Sequence, residues 1–292
     1  MKFGIAMFPT DFSISPADLA VAAEERGFDS VWYPDHSHLP ASHLSNWPGG
    51  KEIPKWYYHV IDQFVALTAA AVATKTIKLA TGICLVIQRD AIQVAKEVAS
   101  LDHVSGGRAI FGIGGGWNAE EMENHGTVFK TRFKLMREQI AAMKAIWADG
   151  EAEFHGEFIN FDPIVTGLKP IQKPHPPIII GGGFPHAAKR AIEYCDGWIP
   201  IRGGDLDSVE MVAEFRQMAK DAGRDPDSLS ITLFGQNRTF SEPDTYFDEG
   251  SDEVARFRDA GVDRICFQLP SKDRDAVLKM LDTAAEVMAK QS

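Results

Sequence analysis

RAIFGIGGGWN, residues 108–118, changes character halfway along. Ala109 to Ile113 is a short apolar run with the length of a buried strand, too short for a helix. Ser105-Gly106-Gly107 in front of it is a turn signal. Gly114, Gly115 and Gly116 then free the backbone for positive φ and let another molecule approach the main chain. Asn118, followed three residues later by Glu121, reads as a capping pair that opens a helix. Strand, glycine floor and helix start make the βα junction of a parallel α/β protein, where ligands bind at the carboxyl ends of strands. A tight turn with no ligand would use the same glycines, so the rest of the chain must decide.

Outward from this stretch, strand-like runs and helical stretches alternate. Phe3 to Phe8 is the first strand, stopped by Pro9, and Ser15-Pro16 opens a helix that ends at Gly27. Asp29 to Tyr33 is a second strand, followed by a long polar and aromatic loop from Pro34 to about Tyr58. Val60 to Thr74 reads as a helix, Ile77 to Gly82 as strand three and Asp90 to His103 as a helix. After the opening stretch comes a helix over Phe133 to Ala148. Residues 150–176 break the rhythm: Glu153 to Phe161 alternates around a glycine as a small hairpin would, and Lys169 to Pro177 is a proline-rich connector. The rhythm resumes with Ile178-Ile179-Ile180 before Gly181-Gly182-Gly183, and a helix from Ala187 to Tyr194. Strands at 197–201, 229–234 and 264–269 then alternate with helices at 206–222, 252–260 and 273–289. Eight strands, each followed by a helix, predict a closed (β/α)8 TIM barrel, an α/β fold, with insertions after strand two and around residues 150–176. An open doubly wound sheet is the alternative. Residues 1–292 read as one barrel domain.

Composition bounds the function. The chain carries 30 Lys+Arg against 41 Asp+Glu, a net charge of −11, which is the reverse of a nucleic-acid binder. The first residues lack the apolar core of a signal peptide, and no apolar run reaches the ~18 residues of a membrane span. Cys84, Cys195 and Cys266 are far apart with no metal-like spacing. These features predict a cytoplasmic protein with no nucleic-acid or membrane partner.

In a barrel, the residues just after each strand build the site. Here they are Pro9-Thr10, Pro34 to His38, Thr81 to Leu85, Gly114 to Asn118, Gly181 to Gly183, Pro200 to Arg202, Gly235 to Asn237, and Gln268. Gly181 to Gly183 precede a helix, so they either form a tight turn or hold a phosphate on free backbone N–H groups. Arg202 either adds a charge-assisted bond to that phosphate or is a solvated loop residue. His36 can exchange a proton near neutral pH, with Asp35 beside it; otherwise Asp35 caps a turn and His36 packs on Trp32. His36, His38 and His43 are close enough in sequence to raise a metal site, without a helical i, i+4 pair to support it. Phe8, Trp32, Trp47, Trp56 and Trp117 could wall a flat, largely apolar cofactor pocket.

Several segments together are specific. They are KFGIAMFP at 2–9, GFDSVWYPDH at 27–36, TGICLVIQRDAIQVAKEVASLDHVSGGR at 81–108, GIGGGWNAEE at 112–121, PPIIIGGG at 176–183 and DGW at 196–198. With them the chain resembles, over essentially its whole length, the luciferase-like monooxygenases, and among these the deazaflavin (coenzyme F420)-dependent oxidoreductases. The resemblance implies a flavin or deazaflavin in the mouth of the barrel and a non-proline cis peptide at Gly82–Ile83. It implies Thr81, Gly82 and Ile83 against the ring, with Gly115, Gly116, Trp117 and Asn118 beside the cofactor. Gly181, Gly182 and Gly183, with Arg202, are the implied phosphate cradle. His36 and Asp35 are the implied catalytic pair, with no metal. Where some deazaflavin members have a glutamate after the strand-four glycines, this chain departs with Trp117-Asn118.

The activity so implied is hydride transfer between coenzyme F420 and a small organic substrate, in a homodimer. Three other readings stand beside it. An FMN-dependent two-component monooxygenase would use the same cradle together with a separate flavin reductase. A metal-dependent TIM-barrel hydrolase or isomerase would use the histidines of 36–43. A non-catalytic barrel would bind a flavin without turning it over. The long loop 37–57 is expected to shape the substrate side.

Overall fold

The first strand is short because its neighbours are short. β1 (Lys2–Ala6) pairs in parallel with the second strand over Gly4↔Ser30 to Ala6↔Trp32, and its last four residues are buried. α1 (Pro16–Glu25) begins as predicted, with Ser15 accepting a hydrogen bond from the Asp18 N–H and proline in the first turn. β2 (Ser30–Tyr33) is buried throughout. The following loop contains a single turn of helix, α2 (Lys55–Tyr58). Val60, expected to open the next helix, instead bridges Thr10, and α3 (Gln63–Ala73) starts later because Asp62 accepts from the Phe64 and Val65 N–H groups. β3 (Lys78–Thr81), α4 (Ala91–Ser105) and β4 (Ala109–Ile113) follow, the last with the predicted bounds. The computed structural model describes residues 1–42, 44–50, 52–201, 207–235 and 253–290.

After β4 come α5 (Ala119–Asn124) and α6 (Arg132–Trp147). The excursion at 150–176 carries the expected hairpin, β5 (Glu151–His155) against β6 (Asn160–Val165), outside the barrel. Glu138 on α6 ties down its turn by accepting from the Phe158 and Ile159 N–H groups at 2.7 and 3.0 Å. β7 (Ile178–Gly183), α7 (His186–Tyr194), β8 (Gly197–Ile201), α8 (Ser208–Asp221), β9 (Ser230–Phe234), α9 (Glu253–Asp259), β10 (Arg264–Gln268) and α10 (Arg274–Lys290) complete the chain.

The eight parallel strands close in the order β1-β10-β9-β8-β7-β4-β3-β2. Closure is made by β1 on β10, Lys2↔Arg264 to Ala6↔Gln268, which removes the open-sheet alternative. Side chains alternate across each strand. Ala6, Trp32, Ala80, Ile110, Ile179, Ile199, Phe234 and Cys266 fill the barrel interior, while a larger apolar shell packs strands against helices. Small residues around one tryptophan keep that interior solid.

At the amino end of the barrel, Arg108 is buried and fully employed. Its guanidinium donates to the carbonyls of Ser105, Ala71, Thr74 and Ile77 and to the Thr74 hydroxyl. These bonds close the last turn of α3 and the approach to β3. No helix among the described residues is long and apolar enough to cross a membrane.

Candidate active site

A cavity of about 550 Å³ opens at the carboxyl ends of the strands. That volume suits a cofactor-sized ligand. Its lining includes Asp35, His36, Gly82, Ile83, Gly115, Gly116, Trp117, Gly181, Gly182 and Gly183, so most of the expected site residues converge. Phe8, Tyr57, Phe133, Phe184, His186, Arg190, Phe234 and Gln268 also line it.

At one end lies a buried histidine–carboxylate pair. His36, just beyond β2, places Nδ1 2.9 and 3.1 Å from the two carboxylate oxygens of Glu121. The two side chains are 7 % and 1 % exposed. An ionised Glu121 can only accept, so Nδ1 carries the proton and Nε2 is left for chemistry. The Asn118–Glu121 spacing does open α5, since Asn118 Oδ1 accepts from the Glu121 N–H at 3.0 Å. The Glu121 side chain, however, turns inward to His36, so a residue read only as half of a cap is part of the site. The ring of His36 lies 4.9 Å from that of Tyr57 and 6.2 Å from that of Trp117. Burial raises the Tyr57 hydroxyl above its ordinary range, so it stays a neutral phenol.

Asp35 has a different partner from its neighbour in sequence. Its carboxylate takes a two-point bond from Arg89, at 2.8 and 3.0 Å, and accepts from the Leu85 N–H. Arg89 also reaches Asp62 at 2.9 Å. Burial alone would lower the Arg89 guanidinium, but the Asp35 bonds outweigh it and raise it. The network joins the loop after β2 to the starts of α3 and α4. Both oxygens of Asp35 are thus engaged, while the residue still lines the cavity.

The floor is built from β3 and β4. The Gly82–Ile83 peptide is cis, as the resemblance implies. A Cβ on Gly82 would sit 2.8 Å from the Trp32 Cβ, so only glycine fits there. Ile83 rests on the interior cluster of the barrel and faces the cavity. A Cβ on Gly114 would overlap the Ile83 side chain, one on Gly115 the Phe133 ring, and one on Gly116 would lie 2.8 Å from Met122 Cε. Trp117 lines the cavity, and its buried Nε1 has no hydrogen-bond partner among the described residues. A buried indole N–H in a cavity wall calls for a polar atom on a ligand.

The opposite end is an open glycine edge. Gly181 to Gly183, expected to follow the strand, belong to β7 itself and pair with Ile199, Pro200 and Ile201 of β8. A Cβ on Gly183 would meet nothing within 4 Å. α7 begins three residues later, with His186 and Arg190 one helical turn apart on the cavity side.

Two expected residues stand outside the cavity lining. Thr81 is buried beneath the floor, donating to the Gly112 carbonyl at 2.7 Å, and Asn118 is the cap of α5; neither lines the cavity. Trp32 is in the barrel interior, not in the wall. Trp47 stands behind Tyr57, with ring centres 5.8 Å apart, and ties the long loop to the site. That loop is also latched to α5, where Glu120 accepts from the Ser45 hydroxyl at 2.6 Å. Arg202, His43, Gln236 and Asn237 lie outside the described residues. His38 hydrogen-bonds Ser37 and Asn124 rather than joining His36. Among the described residues no three His, Cys, Asp or Glu side chains are grouped to hold a metal.

Comparison with known proteins agrees with this geometry. A family model described as luciferase-like monooxygenase matches residues 15–238. An uncharacterised protein of Mycobacterium tuberculosis is 33 % identical over 295 residues, covering 99 % of both chains. An F420-dependent glucose-6-phosphate dehydrogenase of Kineococcus radiotolerans is 30 % identical over 222 residues, 74 % of this chain and 61 % of that protein. Among solved structures, an F420-dependent secondary alcohol dehydrogenase in complex with an F420–acetone adduct has the same fold. It superimposes with a TM-score of 0.73 at 20 % identity, covering 98 % of this chain and 97 % of that one. The chain belongs to the luciferase-like monooxygenase family.

Proposed function

We propose that this protein is an oxidoreductase that transfers a hydride between coenzyme F420 and a small organic substrate. The observation that carries this reading is one cavity with His36–Glu121 at one end and a bare glycine edge at the other. The residues fit a flat ring with a phosphorylated side chain. Ile83 and Trp117 would hold the ring, Trp117 through its unpaired N–H, and Gly183 would leave room for the side chain. A relative of the same family that uses F420 covers most of this chain, which favours the deazaflavin over FMN.

The bound deazaflavin would supply a hydride as a two-electron carrier. The protein supplies the proton and the geometry. Glu121 holds Nδ1–H of His36, so Nε2 faces the reacting centre in a fixed tautomer. When a carbonyl is reduced, the imidazolium Nε2–H gives its proton to the developing alkoxide. In the reverse direction, neutral Nε2 takes the proton from the alcohol. Asp35 and Arg89 keep the strand-two loop, and with it His36, in place.

The test is a pair of titrations of the purified protein, one with oxidised F420 and one with FMN, read by tryptophan quenching. Tight F420 binding with weak FMN binding supports the proposal. Preference for FMN sinks it in favour of an oxygen-dependent monooxygenase fed by a reductase.

A further inference from the structure

Two arginines that the proton chemistry leaves unused stack on Phe133, a ring of the cavity lining. Arg190 lines the cavity, and its Cζ lies 3.7 Å from the centre of the Phe133 ring. Arg132 stacks on the same ring at 4.3 Å and on Phe129 at 3.7 Å. Arg132 is fixed in place by donating to the carbonyls of Gly115 and Phe129 at 3.1 and 2.7 Å. Arg190 forms no ion pair with any described residue, and Glu193, the acid of α7 that acts on it, is held by Arg137 at 2.6 Å. Burial lowers both guanidinium groups, and the charge of Arg190 lowers Arg132 further.

Two partly desolvated cations on one ring, the charge of one felt by the other, are costly unless an anion joins them. Stacking on Phe133 holds the flat fork of Arg190 at the cavity wall, so part of the ordering cost is met before a ligand arrives. His186, one turn earlier on α7, and Gly183, open on its cavity side, border the same space.

We infer that Arg190, braced on Phe133, recognises the phosphate of the cofactor side chain and makes the site select phosphorylated flavins or deazaflavins over their phosphate-free forms. The inference rests on the proposed function but is separable from it. A phosphate monoester, as in FMN, and a phosphodiester, as in F420, share this chemistry, and the ring system used in each titration tells them apart.

The experiment compares four ligands by tryptophan quenching: F420, its phosphate-free ribityl deazaflavin, FMN and riboflavin. Wild type is expected to bind the phosphorylated member of the preferred pair roughly 10- to 100-fold more tightly, the size of a charge-assisted contact. Arg190→Ala should reduce that ratio on the order of tenfold, leave the phosphate-free ligand within about threefold, and flatten the salt dependence of binding. Arg190→Lys keeps the charge but not the stacked fork, and should give an intermediate ratio. If Arg190→Ala does not fold, judged by its thermal melt, the ratio is read from Arg190→Lys and Arg190→Gln. An unchanged ratio in the folded variants overturns the inference, as does a wild type that binds both forms equally; either result leaves the functional reading standing. Binding of none of the four ligands by wild type overturns the functional reading itself.

Discussion

The two glycine triplets, Gly114–Gly116 and Gly181–Gly183, are the same three letters, one following β4 and the other ending β7, and they are packed differently. The first is a crowded joint: a Cβ at any of its positions would meet Ile83, Phe133 or Met122. Glycine is there so that floor, α5 and α6 can close up, and that closure sets Glu121 against His36. The second opens only at its end: a Cβ on Gly182, at φ +154°, would lie 2.7 Å from the Ala187 Cβ, but one on Gly183 would meet nothing within 4 Å. Glycine is there to leave volume for something that is not protein. In the proposed function one triplet builds the proton-handling end and the other the binding end, so substitutions at each should separate rate, fold and affinity.

The largest effect is expected at the crowded side. His36→Ala should lower single-turnover hydride transfer by about 10²–10⁴-fold while the cofactor Kd stays within about threefold. A Kd that moves as much as the rate would merge the two ends into one. Glu121→Gln keeps the shape but loses the charge that fixes the imidazole; stopped-flow turnover should fall about 10- to 100-fold, again at constant Kd.

Smaller effects test the joint itself. Gly114→Ala forces Ile83 off its seat and should cost about 1–3 kcal/mol of stability, seen as a lowered denaturant midpoint. Gly183→Ala should leave that midpoint within about 0.5 kcal/mol and instead weaken binding of the phosphorylated cofactor several-fold. Equal stability losses in both variants would erase the contrast. The smallest effect concerns the latch next to the first triplet. The Ser45 hydroxyl bond and the backbone N–H groups of the loop hold the Glu120 carboxyl down at about 2. A depressed carboxyl contributes fully above its unfolded value, about 4.3, and loses that contribution as pH falls through about 2. Tryptophan emission from the loop should thus change between pH 4 and 2, and Glu120→Gln should remove that step.

What could be read from the chain was local. Strand four, the cap at Ser15, the hairpin at 150–176 and the glycine loops each declare themselves within a few residues. What could not be read depends on distant partners. Asp35 sits beside His36 in sequence, but Arg89, far along the chain, claims its carboxylate. Glu121 satisfies a capping pattern, and nothing near it announces that its side chain leaves the helix for His36. Arg190 looks like any helix-surface arginine until α6 brings Phe133 beneath it. Thr81 and Asn118 are each next to a lining residue; Thr81 bonds the Gly112 carbonyl, and Asn118 caps α5 through Oδ1.

The stretch that opens with Arg108 runs from one face of the barrel to the other. Its first residue knots together the carbonyls at the base, and its last residues border the mouth. Only the five residues of β4 separate the two. An engineer could therefore treat the two faces as separate modules, joined by eight short strands of which β4 is one. The lower one can be redesigned for heat tolerance, and the upper one can be diversified for new substrates without undoing that work.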